Sequence, residues 1–186
     1  MSNRARGIAK KSELRTWVVD QVLDALSSDH IFKTLDYRRK TEAYLKQYMH
    51  QPLLAALVKH HRELSPTISA TALQRKAKRS LFWEGDVSTT INNIQFLGVQ
   101  HRPDFKVLLD SNQTRIAIEI KLGSSGSALR EGIGQAIVYS ASDQFDFTVF
   151  LFVDTSRDKK IVAAQDQHRD FIDSLWENYN VRFEVV

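Results

Sequence analysis

The sequence predicts an α/β sandwich with a mixed central sheet, and three observations predict it. The first third carries apolar residues at helical spacing. From Leu81 onward the pattern turns to short runs rich in β-branched and aromatic residues. Beyond residue 123 helical and strand segments alternate, and such alternation buries a sheet between helices.

Leu14, Trp17, Val18, Val22 and Leu26 recur at three- and four-residue intervals across Ser12 to Ser27, with Ser12 as N-cap. Residues 1–40 are read as a helical N-terminal extension and residues 41–186 as the main domain. A second helix is expected from Thr41 to Leu64, carrying Leu45, Met49, Leu53, Leu57 and Leu64. Pro52 inside it predicts a kink or a break, because proline has no N–H to donate. A loop over Ser65 to Thr71 leads to a basic stretch containing Arg75, Lys76, Lys78 and Arg79.

Three strands in a meander follow, at Ser88 to Gly98, Phe105 to Leu109 and Arg115 to Leu122. Asp110-Ser111-Asn112-Gln113 supplies turn chemistry and makes the last two a hairpin. Gly123 to Ser127 reads as a polar loop, and a helix capped by Ser127 runs on to Ala141. Thr148 to Val153 is almost wholly apolar, as a strand buried on both faces must be. A helix over Ala164 to Tyr179 and a strand over Val181 to Val186 complete the order. Trp17, Trp83 and Trp176 are too scattered to form a stacking platform and suit core or core-edge positions.

A chain of 186 residues, 42% hydrophobic and 26% charged, is long and apolar enough for one substantial core. Cysteine is absent, which excludes disulfides, thiol catalysis and cysteine-ligated zinc. No apolar stretch approaches the roughly 18–20 residues needed to span a bilayer, so no membrane partner is expected. Met1 to Lys11 is basic without the apolar region of a signal peptide, and the expected address is the cytoplasm. A net charge of +4 permits a polyanionic partner without demanding one. Neither a glycine-rich phosphate loop nor a serine nucleophile elbow occurs, which leaves nucleotide-driven motors and serine hydrolases unsupported.

The residues that carry chemistry are Pro103-Asp104, at the start of one predicted strand, and Glu119-Ile120-Lys121, near the end of the next. Residues two apart on a strand share a face, so Glu119 and Lys121 lie side by side while Ile118, Ile120 and Leu122 seal the other face. A register that sets Asp104 opposite Glu119 would bring two carboxylates within about 5 Å. Such a pair repels itself and invites a divalent cation. Mg²⁺ (or Mn²⁺) suits oxygen ligands and needs only one or two carboxylates, with the Ile120 carbonyl as a further oxygen. Phosphodiester hydrolysis wants a cation to polarise a phosphoryl oxygen and ionise water, with Lys121 either holding or deprotonating the attacking water or balancing the transition-state charge.

Pro103-Asp104, a gap of fourteen residues and then Glu119-Ile120-Lys121 resemble the motif of the PD-(D/E)xK nuclease superfamily. Gln135 and Tyr139 resemble the QxxxY motif of its RecB-like branch. The resemblance covers Leu81 to Asp154, roughly half the chain. It implies a restriction-endonuclease-like fold and metal binding by Asp104, Glu119 and Ile120, with Lys121 as the catalytic lysine. Gln135 would approach the attacking water or the scissile phosphate. Tyr139, one helical turn on, would support it or touch the nucleic-acid backbone. Members often carry a further glutamate on an earlier helix, for which Glu42 is the first candidate and Glu63 the second. The substrate implied is nucleic acid, most readily DNA, and a homodimer or a partner protein would suit paired cuts.

Other residues carry two readings each. Arg75, Lys76, Lys78 and Arg79 either form a solvated helix face or contact phosphates. Ser124 lies in a loop whose backbone N–H groups could meet a phosphate, with Arg130 as an added contact, or the loop simply joins strand to helix. Glu42 is either catalytic or a first-turn carboxylate favoured by the helix dipole after Thr41. His60-His61 is read as a surface pair and His101 as a loop residue. The competing functional readings are a non-catalytic nucleic-acid-binding or protein-interaction module on the same fold, and a nuclease subunit of a larger repair, defence or mobile-element complex.

Overall fold

A computed structural model describes residues 19, 20, 22–24, 37–86, 90–109 and 114–186. The expected Ser12 cap and most of the Ser12 to Ser27 helix lie outside the described residues. Its remaining part, at Val19, Val22 and Leu23, is buried in the same core as the main domain.

The helix α1 spans Glu42–Leu64 and is capped by the Thr41 hydroxyl, which accepts from the Tyr44 amide. It runs unbroken through Pro52. Its apolar stripe points to the sheet while Pro52 sits on a half-exposed flank, where water can take the carbonyl that proline leaves unbonded. Helix α2, Ala70–Ser80, starts at the Ser69 cap and buries Leu73, Ala77 and Ser80. His60 and His61 lie under this helix pair rather than on the surface, and His61 Nε2 is 3.0 Å from the Ser80 hydroxyl. Both histidines continue the Leu53–Leu57 stripe at helical spacing, so the packing of α2 on α1 covers them.

Strands β1 (Leu81–Trp83), β4 (Phe105–Leu109), β5 (Thr114–Gly123), β6 (Phe147–Asp154) and β7 (Val181–Val185) form one sheet in the order β1-β4-β5-β6-β7. Pairing is antiparallel across β1, β4 and β5 and parallel across β5, β6 and β7. The sheet is therefore mixed, as expected. The meander differs in its first strand. That place belongs to Leu81–Trp83, while β2 (Ile94–Phe96) and β3 (Val99–His101) make a separate two-stranded hairpin. Leu97 and Gly98 both have positive φ, the backbone of a tight hairpin turn, which folds the 88–98 run back on itself. His101 ends a strand rather than lying in a loop. The turn at 110–113 lies outside the described residues, but the β4–β5 register is that of a hairpin.

One sheet face packs Val107, Ile116, Ile118, Ile120, Val149 and Leu151 against Leu45, Met49, Leu53 and Leu57 of α1. The other packs Phe150, Phe152, Phe183 and Val185 against Ala136 of α3 (Gly126–Ala141) and Leu175 of α5 (Arg169–Tyr179). Helix α3 starts one residue before its expected cap. Ser125 takes the N-cap position, and the Ser127 hydroxyl bonds that of Ser125 instead. The single helix expected over 164–179 is divided into α4 (Lys160–Ala164), a 3₁₀ turn at Asp166–His168 and α5. No helix among the described residues is long and apolar enough to cross a membrane.

Asp154 ties the end of β6 to α4. Its buried carboxylate accepts from the amides of Ser156, Ile161 and Val162 at 2.8, 2.9 and 3.3 Å. Burial alone would raise its pKa, but these bonds outweigh burial and hold it below the ordinary 3.8. A depressed carboxylate stabilises the fold above its unfolded pKa, and that stabilisation is lost as pH falls through the folded value. Asp154→Asn is expected to cost about 1–2 kcal/mol at pH 7. Urea unfolding at pH 7 and near pH 3 checks this, since the gap between wild type and variant must shrink in acid.

Candidate active site

The site forms where β4 stops and β5 continues. Phe105 pairs with Ile118, so Asp104 is the next residue opposite Glu119. Beyond that point the β4-side edge of β5 has no strand partner among the described residues, and carboxylates take its N–H groups. Ile120 donates to Asp104 Oδ2 at 2.7 Å, and Leu122 points at Glu42 Oε2 at 3.5 Å. Glu119 and Lys121 project from the α3 face, beside Phe150 and Phe152 of β6 in the parallel register. The Ile120 side chain joins the α1 core as expected.

Glu119 Oε1 lies 3.3 Å from the Lys121 ammonium, and Glu119 Oε2 accepts from the Tyr139 hydroxyl at 3.2 Å. Lys121 also approaches Glu42 Oε1 at 3.8 Å and Glu131 Oε1 at 3.6 Å. Its side chain is 15% exposed, so it reaches solvent rather than a dry core. Asp104 and Glu119 are each 2% exposed. Burial pushes the Glu119 carboxyl up strongly and the Asp104 charge adds to it; burial also raises Asp104, against the pull of Lys46. Lys121 is raised despite burial, because Glu119 and Glu42 favour its charged form.

Two site residues were not expected. Lys46, one helical turn after Glu42, places its ammonium 2.7 Å from Glu42 Oε1 and 2.5 Å from Asp104 Oδ1. From sequence it is an ordinary i,i+4 partner of Glu42. Only the approach of α1 to the open edge of β5 brings Asp104 into the same grip. Glu131 could have been found by spacing, since Glu131, Gln135 and Tyr139 lie four apart on one stripe of α3.

The remaining candidates are placed unevenly. Glu42 stands at the site, whereas Glu63 is 21 residues further along α1, roughly 30 Å away at 1.5 Å per residue. Gln135 borders the site with its Oε1 buried and without a hydrogen-bond partner. Tyr139 is fully buried, so it supports Glu119 and has no surface for a nucleic-acid backbone. Ser124 is exposed just past the end of β5. Arg130 is exposed and lies five and nine residues before Gln135 and Tyr139, which turns it to another side of α3. Arg75, Lys76, Lys78 and Arg79 are exposed on α2, outside this hydrogen-bonded cluster.

The donor set is all oxygen and suits a hard divalent cation. Asp104 and Glu119 are buried carboxylates one register step from the sheet pairing, and a cation would relieve their repulsion. Among the described residues no three histidine, aspartate or glutamate side chains gather as a ready-made cage. The ammonium groups of Lys46 and Lys121 bridge the carboxylates instead. Comparison with protein-family models, with curated proteins and with solved structures returned no match.

Proposed function

We propose that the protein is a metal-dependent nuclease of the PD-(D/E)xK type on a restriction-endonuclease-like fold, hydrolysing phosphodiester bonds, with DNA as the first substrate to test. The observation that carries this reading is the register that sets Asp104 beside Glu119, with Lys121 on the Glu119 face at an open strand edge. Asp104, Glu119 and the Ile120 carbonyl would hold Mg²⁺ or Mn²⁺. When bound, that cation supplies Lewis-acid charge for the phosphoryl oxygens and lowers the pKa of water.

The chain's own residues supply the rest. Lys121 carries a positive charge at the mouth of the site, where charge builds on the phosphorane, and its amine can position the attacking water. Glu42 and Glu119 keep that amine protonated and oriented. Tyr139 fixes the Glu119 rotamer from below. Gln135, on the same stripe of α3, keeps a buried carbonyl oxygen that has no hydrogen-bond partner among the described residues, and a small turn of its side chain would bring it to a water at the site.

The test is cleavage of single- and double-stranded DNA and RNA with Mg²⁺, with Mn²⁺ and with EDTA. Cutting that needs the metal and disappears in Asp104→Ala is expected. Cutting that survives EDTA, or persists unchanged in Asp104→Ala, would overturn the reading.

A further inference from the structure

A polar recess of about 340 Å³ opens beside the carboxylates, lined by Glu84, Asn93, Gln100, His101, Arg102 and Gln135. It adjoins the candidate site through the backbone at Asp104 and through α3. The Glu84 amide donates to the Asp104 carbonyl at 3.0 Å, Arg102 is two residues before Asp104, and Gln135 is one turn before Tyr139, whose hydroxyl bonds Glu119. We propose that this recess takes a nucleobase from an unpaired strand, so that the substrate is single-stranded or frayed nucleic acid. This rests on the nuclease reading for its substrate class.

The chemistry of the lining favours a base over a phosphate. Arg102, the only lysine or arginine among the described lining residues, is tied to Glu84 by an ion pair, so the pair offers no net charge to an anion. What is left is amide chemistry. Asn93 Nδ2 donates to Gln100 Oε1 at 3.0 Å, which leaves the Asn93 carbonyl oxygen and the Gln100 amide N–H groups for a guest. Gln135 lines its inner end, with a buried carbonyl oxygen that has no hydrogen-bond partner among the described residues. Interleaved neutral donors and acceptors match the edge of a nucleobase, and that edge is free only when the base is unpaired.

The hairpin that forms one wall adds a second, independent feature. Register puts Asn93, Gln95 and Gln100 on one face and Ile94, Phe96, Val99 and His101 on the other. Ile94 is buried against Ala117, Tyr139 and Phe145, which anchors the hairpin over the carboxylates. Further out on that same face Phe96 and Val99 are more than half exposed, and Leu97 at the turn is 87% exposed. The apolar tip lies beyond the recess on the opposite face of the hairpin, and among the described residues it joins none of the buried clusters. It offers an aromatic face on which a base next to the bound one can stack.

The test is fluorescence anisotropy in EDTA with a labelled oligothymidylate, a duplex of the same length, and an abasic strand with the same number of phosphates. Tighter binding of the oligothymidylate than of the abasic strand and the duplex, by on the order of tenfold, is expected from a base that stacks on an aromatic ring and bonds through its edge. Phe96→Ala and the Asn93→Ala/Gln100→Ala pair should each remove most of that preference without weakening duplex binding. All three side chains are exposed, so the variants keep the fold. Equal binding of the oligothymidylate and abasic strands, or variants that bind as wild type does, would overturn the proposal. So would an unstructured peptide displacing the oligothymidylate from the recess while the hairpin variants lose the peptide. The two readings fail separately: metal-dependent cutting with no base preference leaves the nuclease standing, and base preference without cutting leaves the recess.

Discussion

Lys121→Met is expected to lower metal-dependent cleavage by about a thousandfold while leaving Mn²⁺ binding as tight as in the wild type, or tighter. Removing one group that stabilises transition-state charge costs on the order of 10²–10³ in turnover, and in the proposed reaction Lys121 also positions the attacking water. Its ammonium stands 3.3 Å from Glu119 and within 4 Å of Glu42 and Glu131. Deleting that charge leaves the carboxylates more repulsive, and a divalent cation is then better bound. Methionine is the right replacement because the lysine stem is packed, its Cγ standing 2.9 Å from where a Cβ on Gly132 would be. Turnover measured beside Mn²⁺ titration by calorimetry separates the roles. Lost turnover with retained binding puts Lys121 at the reacting atoms. Lost binding together with a lowered melting temperature would make it a structural counter-ion only.

The legible part of this site is the part set by local periodicity. Ile116, Ile118, Ile120 and Leu122 alternate with Glu119 and Lys121, so those two share a face by sequence alone, whereas the register that sets Asp104 opposite Glu119 comes from the β4–β5 pairing. The apolar run of β6 was equally plain. What stayed hidden depends on how α1 and α3 dock. Lys46 looks like half of a surface ion pair until α1 carries it to Asp104. The three-residue strand Leu81–Trp83 follows directly on α2 and is too short for a period to show. The Ser88 to Gly98 run reads as one strand because its turn is Leu97-Gly98, where leucine gives no sign of a positive φ. His60 and His61 were misplaced for a different reason. Neighbours on a helix point in different directions, which suggests a surface pair, yet both positions flank the apolar stripe of α1 and α2 covers them.

Gly132→Val is expected to destabilise the protein by about 3 kcal/mol and to reduce cleavage beyond what the lost folded fraction explains. A Cβ built at Gly132 would sit 2.4 and 2.5 Å from Cζ and Cε2 of the Phe150 ring, closer than side-chain carbons come. The ring has nowhere to go. Phe150 is fully buried, with Phe152 edge-on at 6.5 Å between centroids and Phe183 tilted against it at 5.4 Å. Overpacking of this kind costs about 1–3 kcal/mol or more, and valine adds two methyls beyond the Cβ. Helix propensity returns only about 0.5–1 kcal/mol for losing a mid-helix glycine. The strain must then move α3 outward from the sheet. Because α3 carries Glu131, Gln135 and Tyr139, and Gly132 abuts the Lys121 stem, that shift loosens the grip on Glu119 and Lys121 together. Gly134 is the internal control. A Cβ there meets nothing within 4 Å, so Gly134→Ala on the same helix should stabilise by up to about 1 kcal/mol and leave cleavage untouched. Urea melts of the two variants, read beside cleavage rates, decide whether the close contact of α3 with β6 sets the geometry of the site. If Gly132→Val melts like Gly134→Ala, the helix does not press on the sheet at Phe150, and the support assigned to Tyr139 and Glu131 loses its basis.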